Sequence, residues 1–278
     1  MSFAADYIAQ LQQFAEKAPL PRIRALHLPP DPGANLDNRG EFCALELEDG
    51  AIGLSYVLLD DTLARLRAAG DGLGLAGSDP LVLARRYATG TGLDKTLGFA
   101  AANALTRCLF DRAGYVPPAS GDSIGELDPQ AGERIGMIGF FKPLLGRVLQ
   151  TGASLTVVEL RADLAGDKEG YRVTLDAREL AACCKVLSTS TILLNDTLDV
   201  MLGHCRNARR LALIGPSAGC LPDALFARGV TFLGGNWVSD RAAFVDALVR
   251  GESQKGAARK VALTPAEYPG FAQLCTRL

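Results

Sequence analysis

From Arg134 to Gly251 the chain alternates short, uninterrupted apolar runs with amphipathic stretches, and this rhythm restricts the fold more than any other feature. RIGMIGF is followed by FKPLLGRVLQTG, SLTVVEL by DARELAAC, and CKVLSTS by TILLNDTLDVMLGHC. RRLALIG then precedes LPDALFARG, and VTFLGG precedes DRAAFVDALVRG. Apolar strands separated by helices make a parallel sheet covered on both faces. Right-handed crossovers bring every strand-to-helix loop to one edge of such a sheet. Open α/β sheets bind their ligands at that edge.

The first half has a different rhythm. Phe3, Tyr7, Leu11 and Phe14 recur at helical spacing. RIRALHL, EFCALELE and AIGLSYVLL then read as three strands, with Asp49-Gly50 as a two-residue hairpin signal between the last two. Three helical patterns follow, the last being LDKTLGFAAANALTRCLF. Small residues cover nearly all of its faces, which predicts a helix buried at close range against the sheet. Asn103 interrupts it, and a buried amide needs hydrogen-bond partners. Strands followed by helices make an α+β module over residues 1–114. Residues 115–133, YVPPASGDSIGELDPQAGE, have the Pro, Gly and acidic composition of a linker. Residues 134–278 then form the α/β module with a tail carrying Lys255, Arg259 and Lys260.

Composition excludes several classes. A net charge of −2 gives no general attraction to nucleic acid or to an anionic membrane. No apolar run reaches the roughly 18 residues that span a bilayer. Asp6 and Glu16 lie within the N-terminal helical pattern, so that segment does not read as a signal peptide, and a cytoplasmic location is the default. The seven Cys lack CxxC spacing and sit mostly in apolar surroundings, as small buried hydrophobes do in a reducing compartment. With two His, His27 and His204, a zinc-enzyme site would lack its usual ligands. A homodimer is the base expectation for assembly.

The residues expected at the carboxyl edge are polar or small. Gly139, Phe140 and Lys142 follow the first α/β strand, and Glu159 ends the second. Ser188, Thr189, Ser190 and Thr191 follow the third, with Ser190 or Thr191 capping a helix that begins near Ile192. Asn195 and Thr197 fall in the first turns of that helix, where free N–H groups suit an anion. Gly215, Pro216 and Ser217 form the next loop, whose glycines allow close backbone approach. Ser217 has neither a G-x-S-x-G context nor a nearby His, which argues against nucleophilic catalysis. Gly136-Met137-Ile138-Gly139 is a fragment of a dinucleotide fingerprint without its third Gly, so NAD or SAM binding is the lesser reading.

GMIGFFKPL, VVEL, LSTSTILLNDTLDVML and LIGPSAGCLPDALFARGVTFLGGNWV together resemble the family named Putative heavy-metal chelation. LELEDGAIGLSYVL and LGFAAANAL agree with it in the first half, and the resemblance covers roughly residues 10–250. It implies a domain like the N-terminal domain of enolase, a C-terminal Rossmann-like domain, and a ligand site in the cleft between them. The matching positions are Gly139, Phe140, Glu159, Thr189 to Thr191, Asn195, Thr197, Gly215 to Ser217, and Asn103. Asp196 stands where the family commonly has Gly, which adds a charge near the implied site. For a bound metal, Glu159 and Asp196 are the candidate hard ligands.

Two functions follow. The first is a binding or chelation protein whose cleft takes a metal ion, a metal complex or a small organic molecule. Cys and His do not cluster at the expected edge, which argues against direct capture of soft metals. The second is a transferase or lyase acting on a small anionic metabolite or using a nucleotide-type cofactor. Glu159 or Asp196 would then be the general acid/base and Lys142 an electrostatic stabiliser.

Overall fold

The computed structural model describes residues 2–31 and 41–278. Ser2 caps helix α1 (Phe3–Lys17) by accepting from the Ala5 N–H, and α1 buries Phe3, Tyr7, Leu11 and Phe14 as the spacing predicts. Strands β1 (Ile23–His27), β2 (Phe42–Leu47) and β3 (Ile52–Tyr56) pair antiparallel in sequence order. The β2–β3 hairpin turns through three residues rather than two. The Leu47 N–H reaches Ala51 O at 2.9 Å, and Gly50 supplies the left-handed last position at φ +90°.

Helices α2 (Thr62–Ala69), α3 (Pro80–Ala84), α4 (Arg86–Thr89) and α5 (Gly92–Arg112) follow. The small residues of α5 have the expected use: it is buried continuously from Lys95 to Thr106. A Cβ on Gly53 of β3 would lie 2.1 Å from Ala100 O and Ala104 N, so strand and helix backbones meet directly. The other face of the small sheet (Ala44, Ile52, Leu54) packs on Val238, Phe244, Leu248 and Ala257.

The second half runs β4 (Arg134–Ile138), α6 (Lys142–Leu149), β5 (Ser154–Val158), β6 (Gly166–Lys168), β7 (Tyr171–Thr174) and β8 (Lys185–Thr189). It continues with α7 (Leu198–His204), β9 (Arg210–Ile214), α8 (Asp223–Phe226), β10 (Phe232–Val238), α9 (Arg241–Arg250), β11 (Ala258–Leu263) and α10 (Phe271–Cys275). These strands form one eight-stranded sheet in the order β11-β10-β9-β8-β4-β5-β7-β6. The six inner strands are parallel, as the alternating rhythm predicts, while β6 and β11 close the edges antiparallel. Successive strand residues serve opposite faces. Val186, Leu211, Leu213 and Leu233 join the core shared with α1 and α5. Leu187, Ala212, Phe232 and Met137 pack on the α6 side.

Several expected elements differ. DARELAAC forms a 3-10 turn (Ala177–Ala182) rather than a helix. TILLNDTLDVMLGHC splits into a 3-10 turn (Ser190–Leu193) and the seven-residue α7, because Asp196 takes φ +60° and breaks the helix. Strand β10 runs past the VTFLGG run to Val238, since it continues to pair with β11. The tail with Arg259 and Lys260 is β11 itself, and the β6–β7 hairpin lies in a stretch without apolar periodicity. The segment 115–133 lies against the sheet: Ala262 N donates to Pro118 O, Ser120 N donates to Lys260 O, and Leu127 is fully buried. At its end, Glu133 accepts from buried Lys185 (2.6 Å) and from Arg209 (2.5 Å). Among the described residues, no helix is long and apolar enough to cross a membrane.

Asn103 joins the two sheets. Its amide N–H2 donates to Leu54 O of β3 (2.8 Å) and to Ser217 O beyond β9 (2.9 Å). Its Oδ1 accepts from the Tyr7 hydroxyl of α1 (3.1 Å). Asn103→Ala strands two buried acceptors, and we expect a loss of about 3 kcal/mol in urea unfolding. The hydrogen bond from Lys185 and the Gln130 N–H hold the Glu133 carboxyl down at about 2. A depressed carboxyl stabilises the fold above its unfolded value near 4.5 and loses that contribution as pH falls toward 2. Glu133→Gln should therefore be less stable than the wild type at pH 7. The gap should close between about pH 4.5 and 2 in thermal unfolding measured across pH.

Candidate functional site

The chain winds outward from the middle of the large sheet in two directions, β4 to β5 and β7 on one side, β8 to β9 and β10 on the other. The winding reverses between adjacent β4 and β8, and a crevice outside the carboxyl ends of the strands is expected there. Gly139 ends β4 at φ +86°, and a Cβ there would sit 3.0 Å from Thr189 Cγ2. Glu159, at the end of β5, reaches back to accept from the Phe140 N–H (2.9 Å) through Oε2. Its other oxygen accepts from the Leu160 N–H (2.9 Å). Thr189 caps the 3-10 turn by accepting from the Thr191 N–H, and the two threonine hydroxyls lie 3.0 Å apart. The cap is Thr189, not Ser190 or Thr191, because the turn begins immediately at the strand end. Lys142 begins α6 and is exposed.

The small sheet supplies residues that the sequence reading did not place here. Tyr56 ends β3 and Glu41 precedes β2, and their strands pair Phe42 with Tyr56. Burial, and then the charges of Glu41 and Glu159, raise the Tyr56 phenol. Burial also raises the Glu41 carboxyl. Two carboxylates, one on each sheet, thus act electrostatically on one phenol. Among the described residues, no Lys, Arg or His forms an ion pair with either. The signal for Tyr56 was its place at the end of a strand, but nothing local says what that end faces.

The remaining expected residues are turned toward the protein itself. Ser188 is buried and donates to Thr189 O (3.2 Å). Ser190 is buried with its hydroxyl 3.0 Å from that of Ser217, and no imidazole or carboxylate hydrogen-bonds either one in the described structure. Gly215 gives room to Ser190, whose Oγ would lie 2.0 Å from an added Cβ, and Gly219 faces Asn103. Pro216 and Asn103 line a junction cavity of about 40 Å³ with Arg107, Trp237 and Asn236. That holds a few waters, against the roughly 300 Å³ or more of organic-ligand sites. Asn195 Oδ1 accepts from the Thr197 hydroxyl (2.6 Å) ahead of α7. Asp196 pairs with Lys95 of α5.

These placements decide which donors a metal could meet. Glu159 follows β5 directly and Asp196 lies beyond the 3-10 turn after β8, on strands separated by β4, and each carboxylate is already engaged. Six of the seven Cys are buried. Burial pushes Cys183 up to about 11 and Cys43, Cys205 and Cys220 up to about 12, which disfavours the thiolate form in the protein alone. Among the described residues, no group of three or more His, Cys, Asp or Glu is arranged to hold a metal ion. A bare soft metal does not fit this donor set, whereas oxygen donors at the reversal suit a hard ion or one already complexed.

Comparison with known proteins places the fold. A crystal structure of a DUF364 protein of unknown function from Pyrococcus horikoshii superposes with a TM-score of 0.68 at 21% identity, covering 93% of this chain and 99% of that one. A second, from Desulfitobacterium hafniense, gives 0.64 at 20% identity, covering 94% and 97%. An uncharacterized protein from Methanocaldococcus jannaschii is 29% identical over 154 residues. This chain spans little more than half the length of that curated relative, 56%, and the match covers 53% of this chain. The sequence profile of DUF364, described as "Putative heavy-metal chelation", matches residues 122–267, more than half of the 278, and this chain belongs to that family.

Proposed function

We propose that this protein binds a small polar ligand, most plainly a metal ion carried by an organic oxygen-donor chelator, at the β4–β8 winding reversal. The cleft wall is Gly139, Phe140, Glu159, Thr189 and Thr191 on the large sheet, with Tyr56 and Glu41 facing it from the small one. The observation that carries the reading is the set of oxygen donors at the reversal, with Glu159 accepting from the Phe140 N–H and the Thr189 and Thr191 hydroxyls 3.0 Å apart, while the charges of Glu159 and Glu41 both act on the Tyr56 phenol. Arg161 lies within electrostatic reach of Glu159 but forms no ion pair with it, and a ligand-borne cation supplies a direct partner. The family description supports a metal as that cation, and the buried thiols support its arriving complexed rather than bare. We assign exposed Lys142 to the organic part of the ligand, together with Asn195 and Thr197 once their mutual hydrogen bond opens.

Native mass spectrometry with elemental analysis of gently purified protein tests this. We expect a stoichiometric added mass that contains a metal, or its uptake when a ferric citrate complex is supplied. The double variant Tyr56→Phe, Thr191→Val removes two hydroxyls from the wall and should lower occupancy at least tenfold, with a melting temperature within about 4 °C of the wild type. A wild-type chain that arrives bare and takes up no metal citrate overturns the proposal.

A further inference from the structure

A second feature lies beside this wall. Lys95, in the first turn of α5, is only 7% exposed. Its ammonium lies 5.7 Å from the ring centroid of fully buried Tyr87, and its carboxylate partner is Asp196. The partner is of the opposite kind: the Asp196 side chain is 70% exposed and its backbone is left-handed at φ +60°. One residue further along, Thr197 donates to Asn195 Oδ1. Three residues earlier, the Tyr87 hydroxyl donates to Leu193 O at 2.7 Å. The turn 193–197, which breaks the helix expected there, is therefore tied to the first half of the chain by two polar contacts from neighbouring helices.

The asymmetry gives the ion pair a direction. An exposed aspartate returns to water at little cost when the contact opens, so it gains little from the pair. The Lys95 side chain is only 9% exposed, so its ammonium has far less water to return to and loses more when the partner leaves. The energy that holds the turn closed therefore comes from Lys95, which sits in the first module, while the backbone it restrains belongs to the second.

We propose that the Lys95–Asp196 pair is a latch. It holds the 193–197 turn against α4 and α5 and thereby fixes Asn195 and Thr197 beside the β4–β8 cleft; opening it frees the turn while the sheets stay in place. The functional meaning rests on the binding reading above, but the latch itself is tested without ligand.

Hydrogen–deuterium exchange on the full ligand-free chain is the experiment. Asp196→Asn keeps a side chain that tolerates the left-handed backbone while removing the charge. Lys95→Met keeps the apolar stem in its packing. Each should raise exchange at 193–197 at least tenfold and leave β3 and β8 unchanged. Because both remove the same contact, the double variant should exchange no faster than the faster single one. Unchanged exchange at 193–197 in Asp196→Asn, additive effects in the double variant, or an equal rise across the whole chain overturns the latch. Lys95→Arg separates partial retention from misfolding: it should exchange more slowly than Lys95→Met. A failed latch with metal citrate still bound leaves the binding reading standing, and the reverse outcome leaves the latch standing.

Discussion

One carboxamide holds the arrangement together. Asn103 lies on the most deeply buried helix of the chain and gives its two N–H groups to carbonyls that belong to different sheets, Leu54 O and Ser217 O. Both carbonyls accept from this one side chain, so removing it leaves two buried acceptors to be satisfied some other way. Tyr7 adds the third contact, and its hydroxyl also pairs with Thr106 at 2.6 Å. Around this hub the backbones must come close. Gly53 admits α5 against β3, Gly219 admits Asn103, and Gly215 admits Ser190. These glycines serve contacts within the protein, and the two beyond β9 lie where phosphate-binding loops would use theirs for a ligand.

The consequence is a carboxyl edge divided in two. Toward β9 and β10 it is closed: Ser190 and Ser217 satisfy each other, Arg107 stacks 3.7 Å over the Trp237 ring, and the space left between the sheets is water-sized. Toward β4, β8 and β5 it carries the half-buried hydroxyls of Thr189 and Thr191, the Glu159 carboxylate, and the Tyr56 phenol raised by burial. Polar groups are present on both sides, but only on the first are they shut in between the two sheets.

The parallel sheet and its carboxyl edge were legible because buried strands write themselves as continuous apolar runs. The antiparallel edges were not: β6 is a three-residue strand with every residue exposed, so no apolar pattern could announce it. β11 exposes charge on one side and follows a polar segment, and its pairing with β10 is set by residues far away in sequence. The hydroxyl-rich stretch after β8 looked like the start of a helix, but Asp196 enters the left-handed region and Lys95 holds it there, a tertiary contact across about a hundred residues. Tyr56 and Glu41 were missed for the same reason: a strand pattern gives the strand without saying what its end abuts. Asn103 was readable as a residue that must find partners, and the structure supplies them from protein alone.

The central claim is that the two sheets behave as one body joined at Asn103. The single tryptophan, Trp237, sits at that junction against Arg107 and Phe110. Urea unfolding followed in parallel by its fluorescence and by far-ultraviolet circular dichroism measures the claim directly. The account predicts coincident transitions with one midpoint. A fluorescence transition that is complete while much of the dichroism remains would mean that the junction opens on its own and would contradict it.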